Sequence, residues 1–146
     1  MEYQIMSSAH TGQIADLEKQ CFSAPWSEQS IITELTNPLS LWIVAVEGEK
    51  VVGYVGSQSV MGEADMMNLA VLPQYRRKGI GTKLVCLLIA MLKEKNVHSL
   101  TLEVRASNES AISLYKMLGF NQVGRRPNYY SAPKEDALIL RKEWDE

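Results

Sequence analysis

Apolar positions along the chain recur in two rhythms, one near 3.6 residues and one of two, and the switches between them mark out the elements. Residues 3–6 read as a first strand, and Ile14, Leu17 and Cys21 fall at helical spacing over residues 10–21. Ser27 is a good N-cap for a second helix carrying Ile31, Ile32 and Leu35, which Asn37-Pro38 stops. Residues 41–46 and 51–57 are strand-like runs separated by the polar turn Glu47-Gly48-Glu49-Lys50, and residues 64–71 extend this meander. The pattern then changes: a helix over residues 81–95 leads into a strand over 99–104, and strand-helix-strand implies a parallel pair with a right-handed crossover. That helix is apolar almost all round in its middle, which predicts packing against the sheet and a neighbour. Asn108 predicts an N-cap for a helix over 109–118, with Ala111, Leu114, Tyr115 and Leu118 as its stripe and Gly119 at its end. Residues 120–123 and 137–140 close the chain as strands, joined by residues 124–130 read as a loop. The expected architecture is one mixed α/β (α+β) domain over residues 1–146, its sheet turning from antiparallel to parallel in the middle.

Composition narrows the class. Hydrophobic residues make up 46% and charged residues 22% of the 146, the balance of a soluble globular protein, and the net charge of -2 argues against broad nucleic-acid binding. Cys21 and Cys86 lie in apolar surroundings without a partner at metal or redox spacing, so both are expected to be buried reduced thiols. With only His10 and His98 to add imidazole, no zinc set is visible and no metal is expected. There is no signal-peptide pattern, and the longest apolar run, residues 84–92, falls well short of the ~20 residues of a membrane span. The expectation is a cytoplasmic protein with no membrane partner, a monomer or weak oligomer.

The most informative stretch is residues 68–84, NLAVLPQYRRKGIGTKL. An apolar strand ends at Leu69-Ala70-Val71, the basic loop Arg76-Arg77-Lys78 follows, and Gly79-Ile80-Gly81 opens a long apolar helix. Basic side chains supply charge, glycines let backbone come close, and the free N–H groups of a helix N-terminus favour an anion. GxxxxGK[ST] is absent, and Leu84 stands where a dinucleotide fingerprint wants its third glycine. What remains is a pyrophosphate cradle or an ordinary strand-to-helix turn with a solvated basic loop.

At this level of detail, three stretches resemble the GNAT acetyltransferases: the segment from Asn68 to Gly81, Leu102-Glu103-Val-Arg-Ala-Ser-Asn108, and Ala111-Ile112-x-Leu114-Tyr115-x-x-Leu118-Gly119-Phe120. Within that superfamily, Phe22-Ser-Ala-Pro-Trp26-Ser, the Glu103 stretch and Arg126-Pro-Asn-Tyr129-Tyr130 resemble the RimI type, which acetylates the N-terminal alanine of a small-subunit ribosomal protein. The resemblance implies a mixed central sheet flanked by helices on both faces and acetyl-CoA as cosubstrate. It also implies that the segment of Arg76, Arg77, Lys78, Gly79, Ile80, Gly81 and Thr82 serves the pyrophosphate, chiefly through backbone N–H groups. Leu69, Ala70 and Val71 would serve the pantetheine arm and acetyl carbonyl, and Asn108 with its helix the thiol end. An exposed strand edge suits an extended amide-bearing arm, and an N–H aimed at the acetyl oxygen would stabilise an oxyanion.

The same resemblance assigns Glu103 as proton acceptor for the attacking amine and Tyr115 as donor to the departing thiolate. Read without it, Glu103 is equally a surface carboxylate paired with Arg105, and Tyr115 a core tyrosine on the stripe of its helix. A peptide α-amine, of pKa about 8, is roughly one-tenth neutral at pH 7, whereas a lysine near 10.4 is far less so, so an N-terminal amine is the easier acceptor. A glutamate of ordinary pKa is nearly four units too weak a base, about 5 kcal/mol, so this role calls for burial or a relaying water. With no nucleophilic constellation visible, direct transfer in a ternary complex follows. Trp26, Tyr129 and Tyr130, read as loop aromatics, are candidates for bracketing the acceptor peptide. The other readings are transfer to another amine such as a polyamine or aminoglycoside, a CoA-binding module without catalysis, and a weak case for nucleic-acid binding through the two basic loops.

Overall fold

A computed structural model describes residues 1–144. The elements are β1 (Glu2–Ile5), α1 (Thr11–Cys21), α2 (Glu28–Glu34), β2 (Ser40–Glu47), β3 (Lys50–Val60), β4 (Glu63–Val71), a single 3-10 turn (Pro73–Tyr75), α3 (Ile80–Glu94), β5 (Ser99–Arg105), α4 (Glu109–Met117), β6 (Asn121–Tyr130) and β7 (Glu135–Glu143). Among the described residues the strands form one sheet in the order β1-β2-β3-β4-β5-β7-β6. Every neighbouring pair is antiparallel except β4 and β5, which are joined through α3. The expected switch in the middle of the sheet is therefore present.

Alternation along β3 places α1 and α3 on opposite faces. Tyr54 reaches Glu18 of α1, whereas a Cβ on neighbouring Gly53 would sit 3.4 Å from Ile80 of α3. Buried Ile14 and Leu17 fill one layer, and Leu84, Leu88 and Leu92 the other. Local signals set the helix ends: the Ser27 hydroxyl accepts from Ser30 N at 3.1 Å, and Asn108 Oδ1 from Ala111 N at 3.2 Å. No helix among the described residues is long and apolar enough to cross a membrane.

Three expectations are corrected. Residues 124–130 are not a loop but most of β6, and the turn to β7 lies at residues 131–134. β6 is an edge strand exposed along nearly its whole length, so no apolar alternation announces it. Its pairing shows two register shifts, one of which accommodates Pro127, and Asp136 fixes it by accepting from Arg125 and from Asn128 N. Cys86 is exposed and Cys21 only half-buried, so the thiols are not both core groups. α3 packs one stripe on the sheet while Leu87 and Met91 stay partly open, so its all-round apolar middle overstates its burial.

Candidate active site

The site begins where β4 and β5 part. They pair only from Glu63 to Asp65 against Ser99 to Thr101, while β4 continues to Val71 against β3 alone. The β3–β4 register slips between Gly56 and Ser57, leaving Met67 as an extra residue, a bulge at the point where the sheet opens. Among the described residues the far half of β4 thus has one edge without a strand partner. Along it runs a cleft of about 920 Å³ lined by Leu69, Ala70 and Val71, by Arg76, Arg77, Gly79, Ile80, Gly81 and Thr82, and across the gap by Asn108, Ala111 and Leu114.

The glycine turn is built for close backbone approach. Gly79 lies at φ 79°, in the left-handed region, and caps α3 without any side-chain hydrogen bond to the helix N-terminus. The first helical bond runs from Lys83 N to Gly79 O, so the N–H groups of Ile80, Gly81 and Thr82 open the helix at the cleft. The basic side chains divide their work. Arg76 folds back, donating through Nε to Val71 O at 3.1 Å and lying 3.6 Å from Cys21 Sγ, which clamps the loop to the strand end. Lys78 turns out of the cleft: its Nζ sits 5.3 Å over the Tyr75 ring, beside a separate recess of about 410 Å³.

A second groove, of about 480 Å³, lies around the β4 bulge. Phe22 and Trp26 form one wall, Met66, Met67 and Asn68 belong to β4, and Glu103, Arg105, Tyr129 and Tyr130 come from the other side. Cys21 and Phe22 line both groove and cleft, which are therefore contiguous. Trp26 packs edge-on against Trp42 at 5.4 Å, and Trp42 stacks on Tyr54 at 5.7 Å. Tyr129 and Tyr130 sit at the end of β6 rather than on a loop, edge-to-face at 5.1 Å. Arg105 lies 4.4 Å over the Tyr130 ring and pairs with Glu135 at 3.3 Å.

Glu103 does not pair with Arg105. Its Oε2 lies 2.5 Å from Arg126 Nε, a charge contact without aligned hydrogen-bond geometry, and Tyr129 donates its hydroxyl to Oε1 at 3.4 Å. Glu103 and Arg105 share a face of β5, being two positions apart, but the Arg105 guanidinium is taken up by Glu135 and by the carbonyls of Ser131 and Pro133, while β6 brings Arg126 to the carboxylate. Burial, then the Glu103 charge and Tyr129, push the Tyr130 phenol up to about 12 against the opposing Arg105, so it stays neutral.

Tyr115 is buried at 5% exposure, packed edge-on to Phe120 at 5.4 Å, and does not line the cleft or the groove. Its hydroxyl lies 3.7 Å from the sulfur of Met66, a weak acceptor on β4, so most of its donor capacity is unspent. Burial, with a smaller contribution from Tyr130, raises its pKa well above the usual tyrosine range.

Sequence reasoning missed the buried polar hub beneath the groove. Glu18 is fully buried; its Oε1 accepts from Trp26 N at 2.8 Å, and its Oε2 from the Tyr54 hydroxyl and from Asn68 Nδ2 at 2.8 Å. Burial raises its pKa, opposed by the Trp26 and Asn68 hydrogen bonds. One signal was available: position 18 stands between Ile14 and Cys21 on the apolar stripe of α1, a poor place for a carboxylate without a task.

Comparison with known proteins identifies the chemistry this arrangement belongs to. Residues 11–120 match the acetyltransferase (GNAT) family. The chain is 38% identical over 126 residues to the ribosomal protein bS18-alanine N-acetyltransferase of Escherichia coli K12, spanning 85% of this chain and 84% of that protein. It is 37% identical over 131 residues to the enzyme of the same name from Haemophilus influenzae, spanning 88% of each. The crystal structure of the Escherichia coli ribosomal-protein-S18-alanine N-acetyltransferase superposes with a TM-score of 0.91 at 33% identity, covering 99% of this chain and 94% of that one. With a bulged β4 parting from β5, a glycine turn opening α3 and a match across most of its length, the chain belongs to the acetyltransferase (GNAT) family.

Proposed function

We propose that this protein transfers the acetyl group of acetyl-CoA to the α-amine of an N-terminal alanine, that of ribosomal protein bS18, by direct attack in a ternary complex. The observation that carries the reading is the meeting of two contiguous cavities at the parting of β4 and β5, with the Glu103 carboxylate in one and a backbone anion seat in the other. The names of the relatives supply the acceptor. The cleft residues fit acetyl-CoA: the N–H groups at the start of α3 take the pyrophosphate, and the free edge of β4 at Leu69, Ala70 and Val71 takes the pantetheine amides and the acetyl oxygen. Asn108 lies across from that edge at the start of α4.

In this reading the amine nitrogen bonds to the acetyl carbon, the carbon–sulfur bond breaks, and the amine's proton leaves to Glu103 directly or through a water. Glu103 keeps 30% exposure, which gives water access to it. Tyr115, whose hydroxyl lies 3.7 Å from the sulfur of groove-lining Met66, is the donor that the family resemblance assigns to the departing sulfur. Trp26, Tyr129 and Tyr130 bracket the peptide. Residues 1–146 act as one domain in the cytoplasm, as a monomer or weak oligomer.

The test is incubation with acetyl-CoA and a peptide copying the bS18 N-terminus, read by mass spectrometry for one added acetyl group. An unmodified peptide alongside an acetylated polyamine or aminoglycoside would overturn the acceptor. Unchanged turnover in both Glu103→Gln and Tyr115→Phe would overturn the catalytic assignment.

A further inference from the structure

Asn68 lines the acceptor groove from β4, on the face where α1 packs. A carboxylate only accepts hydrogen bonds, so the contact with Glu18 Oε2 must come from the side-chain NH2 of Asn68. That fixes the amide's orientation and turns its carbonyl oxygen away from Glu18. Among the described residues no donor satisfies that oxygen.

Glu18 itself is unusual. It is fully buried, it forms no ion pair among the described residues, and its neighbours are three neutral donors. Burying a carboxylate without a cation is costly, and an apolar residue would fill the same stripe of α1 at less expense to the fold. The charge is held one side chain away from a groove whose incoming ligand, in the reading above, carries a primary ammonium.

We infer that Asn68 is a substrate-contacting residue, its Oδ1 accepting a hydrogen bond from the acceptor's N-terminal ammonium, and that Glu18 is the positioning residue that holds Asn68 in the accepting orientation. Three donors aimed at the Glu18 oxygens suit the ionised form, whose charge favours a cation at the same place. The ammonium is thus recognised before Glu103 or a water removes its proton, and by a different group. The same hub holds Trp26 N, so the wall opposite Tyr129 and Tyr130 is tied to the ammonium seat.

This inference rests on the groove being the acceptor site, and the experiment separates the two. Acceptor KM, acetyl-CoA KM and kcat are measured with the bS18 peptide for the native enzyme, Asn68→Ala, Glu18→Gln and the double variant. Asn68→Ala is expected to raise acceptor KM about tenfold to hundredfold, the value of a hydrogen bond to a charged group, with acetyl-CoA KM within about twofold. In Glu18→Gln the new amide offers its NH2 to Asn68, which turns its own NH2 to the groove, so acceptor KM is expected to rise similarly. The double variant is expected to be no worse than Asn68→Ala alone. An acceptor KM within twofold of native in Asn68→Ala overturns the contact, and additive losses in the double variant overturn the positioning role. Should Glu18→Gln fail to fold, NMR of the native protein reads the same orientation. Asn68 side-chain NH2 protons in slow exchange with water support it, and fast exchange overturns it. Native enzyme that leaves the peptide unmodified overturns the functional reading itself.

Discussion

Two glycines let the proposed pyrophosphate seat be tested with an internal control. Gly79 and Gly48 both have left-handed φ, 79° and 64°, and a Cβ built on either meets nothing within 4 Å. Alanine at each position therefore costs backbone strain and little else, about 1 to 2 kcal/mol, partly offset by the smaller entropy of the unfolded chain. Both variants are expected to lose about 1 kcal/mol of unfolding free energy in urea, and Tm should drop by about 2 to 4 °C. The difference lies in what each turn does. Gly48 joins β2 to β3, whereas Gly79 aims the N–H groups that open α3. If strain relaxes that turn by a few tenths of an ångström, one hydrogen bond to a phosphate is weakened, about 1.5 to 3 kcal/mol, or about tenfold to hundredfold in CoA affinity. Calorimetric titration with CoA is expected to show that loss for Gly79→Ala and none for Gly48→Ala. Equal stability losses with native CoA affinity in both would refute the assignment of these N–H groups to the pyrophosphate.

Other outcomes follow from the packing and charge around the groove. A Cβ at Gly56 would lie 2.5 Å from Trp42 Cδ2, so Gly56→Ala is expected to displace the indole, cost about 1 to 3 kcal/mol in urea unfolding, and shift tryptophan fluorescence. Burial pushes the Glu34 carboxyl up, but Gln58, Ser40, Asn37 and Trp42 donate to it and hold its pKa below the usual glutamate range. Its folded-state pKa is therefore depressed, so its stabilisation is present at neutral pH and lost as pH falls from its ordinary value through the folded one. Glu34→Gln should narrow the gap in urea midpoint between pH 7 and pH 4, and an unchanged gap would count against this account. Tyr130→Ala removes the ring under Arg105 and one wall of the groove; acceptor KM is expected to rise severalfold, in line with about 1 kcal/mol for such a contact, while acetyl-CoA KM stays put.

What could be read from the sequence was what is local. Ser27 and Asn108 cap their helices because a short polar side chain reaches an N–H three residues on, and Gly79 turns because no other residue enters that region so freely. β6 was hidden because an exposed edge strand needs no apolar alternation, and its order comes from Asp136 on the neighbouring strand. The partner of Glu103 was hidden because sequence proximity offers only Arg105, while the register of β5, β7 and β6 carries Arg126 to the carboxylate. The hub joining Glu18 to Asn68 spans fifty positions and depends on α1 lying across β3 and β4. Only the misplaced polarity of Glu18 on an apolar stripe hints at it.

The burial of Tyr115 changes what kind of donor it is. An ordinary tyrosine is about 1.5 units less acidic than a thiol, so handing a proton to a thiolate is uphill by about 2 kcal/mol. Burial raises the Tyr115 pKa further, so complete transfer becomes harder than the unperturbed values imply. The same shift keeps the hydroxyl protonated across the working pH range, and its weak contact with Met66 leaves the proton available. In the proposed mechanism Tyr115 therefore stabilises developing charge on sulfur through a hydrogen bond that strengthens as the bond breaks, and proton delivery to free CoA can follow from solvent. The two proton tasks then fall to unlike environments: a partly exposed carboxylate that water reaches, and a buried phenol that water does not. The parting of β4 and β5 makes that division possible, because it lets one sheet present a wet groove to the acceptor and a dry interior to Tyr115.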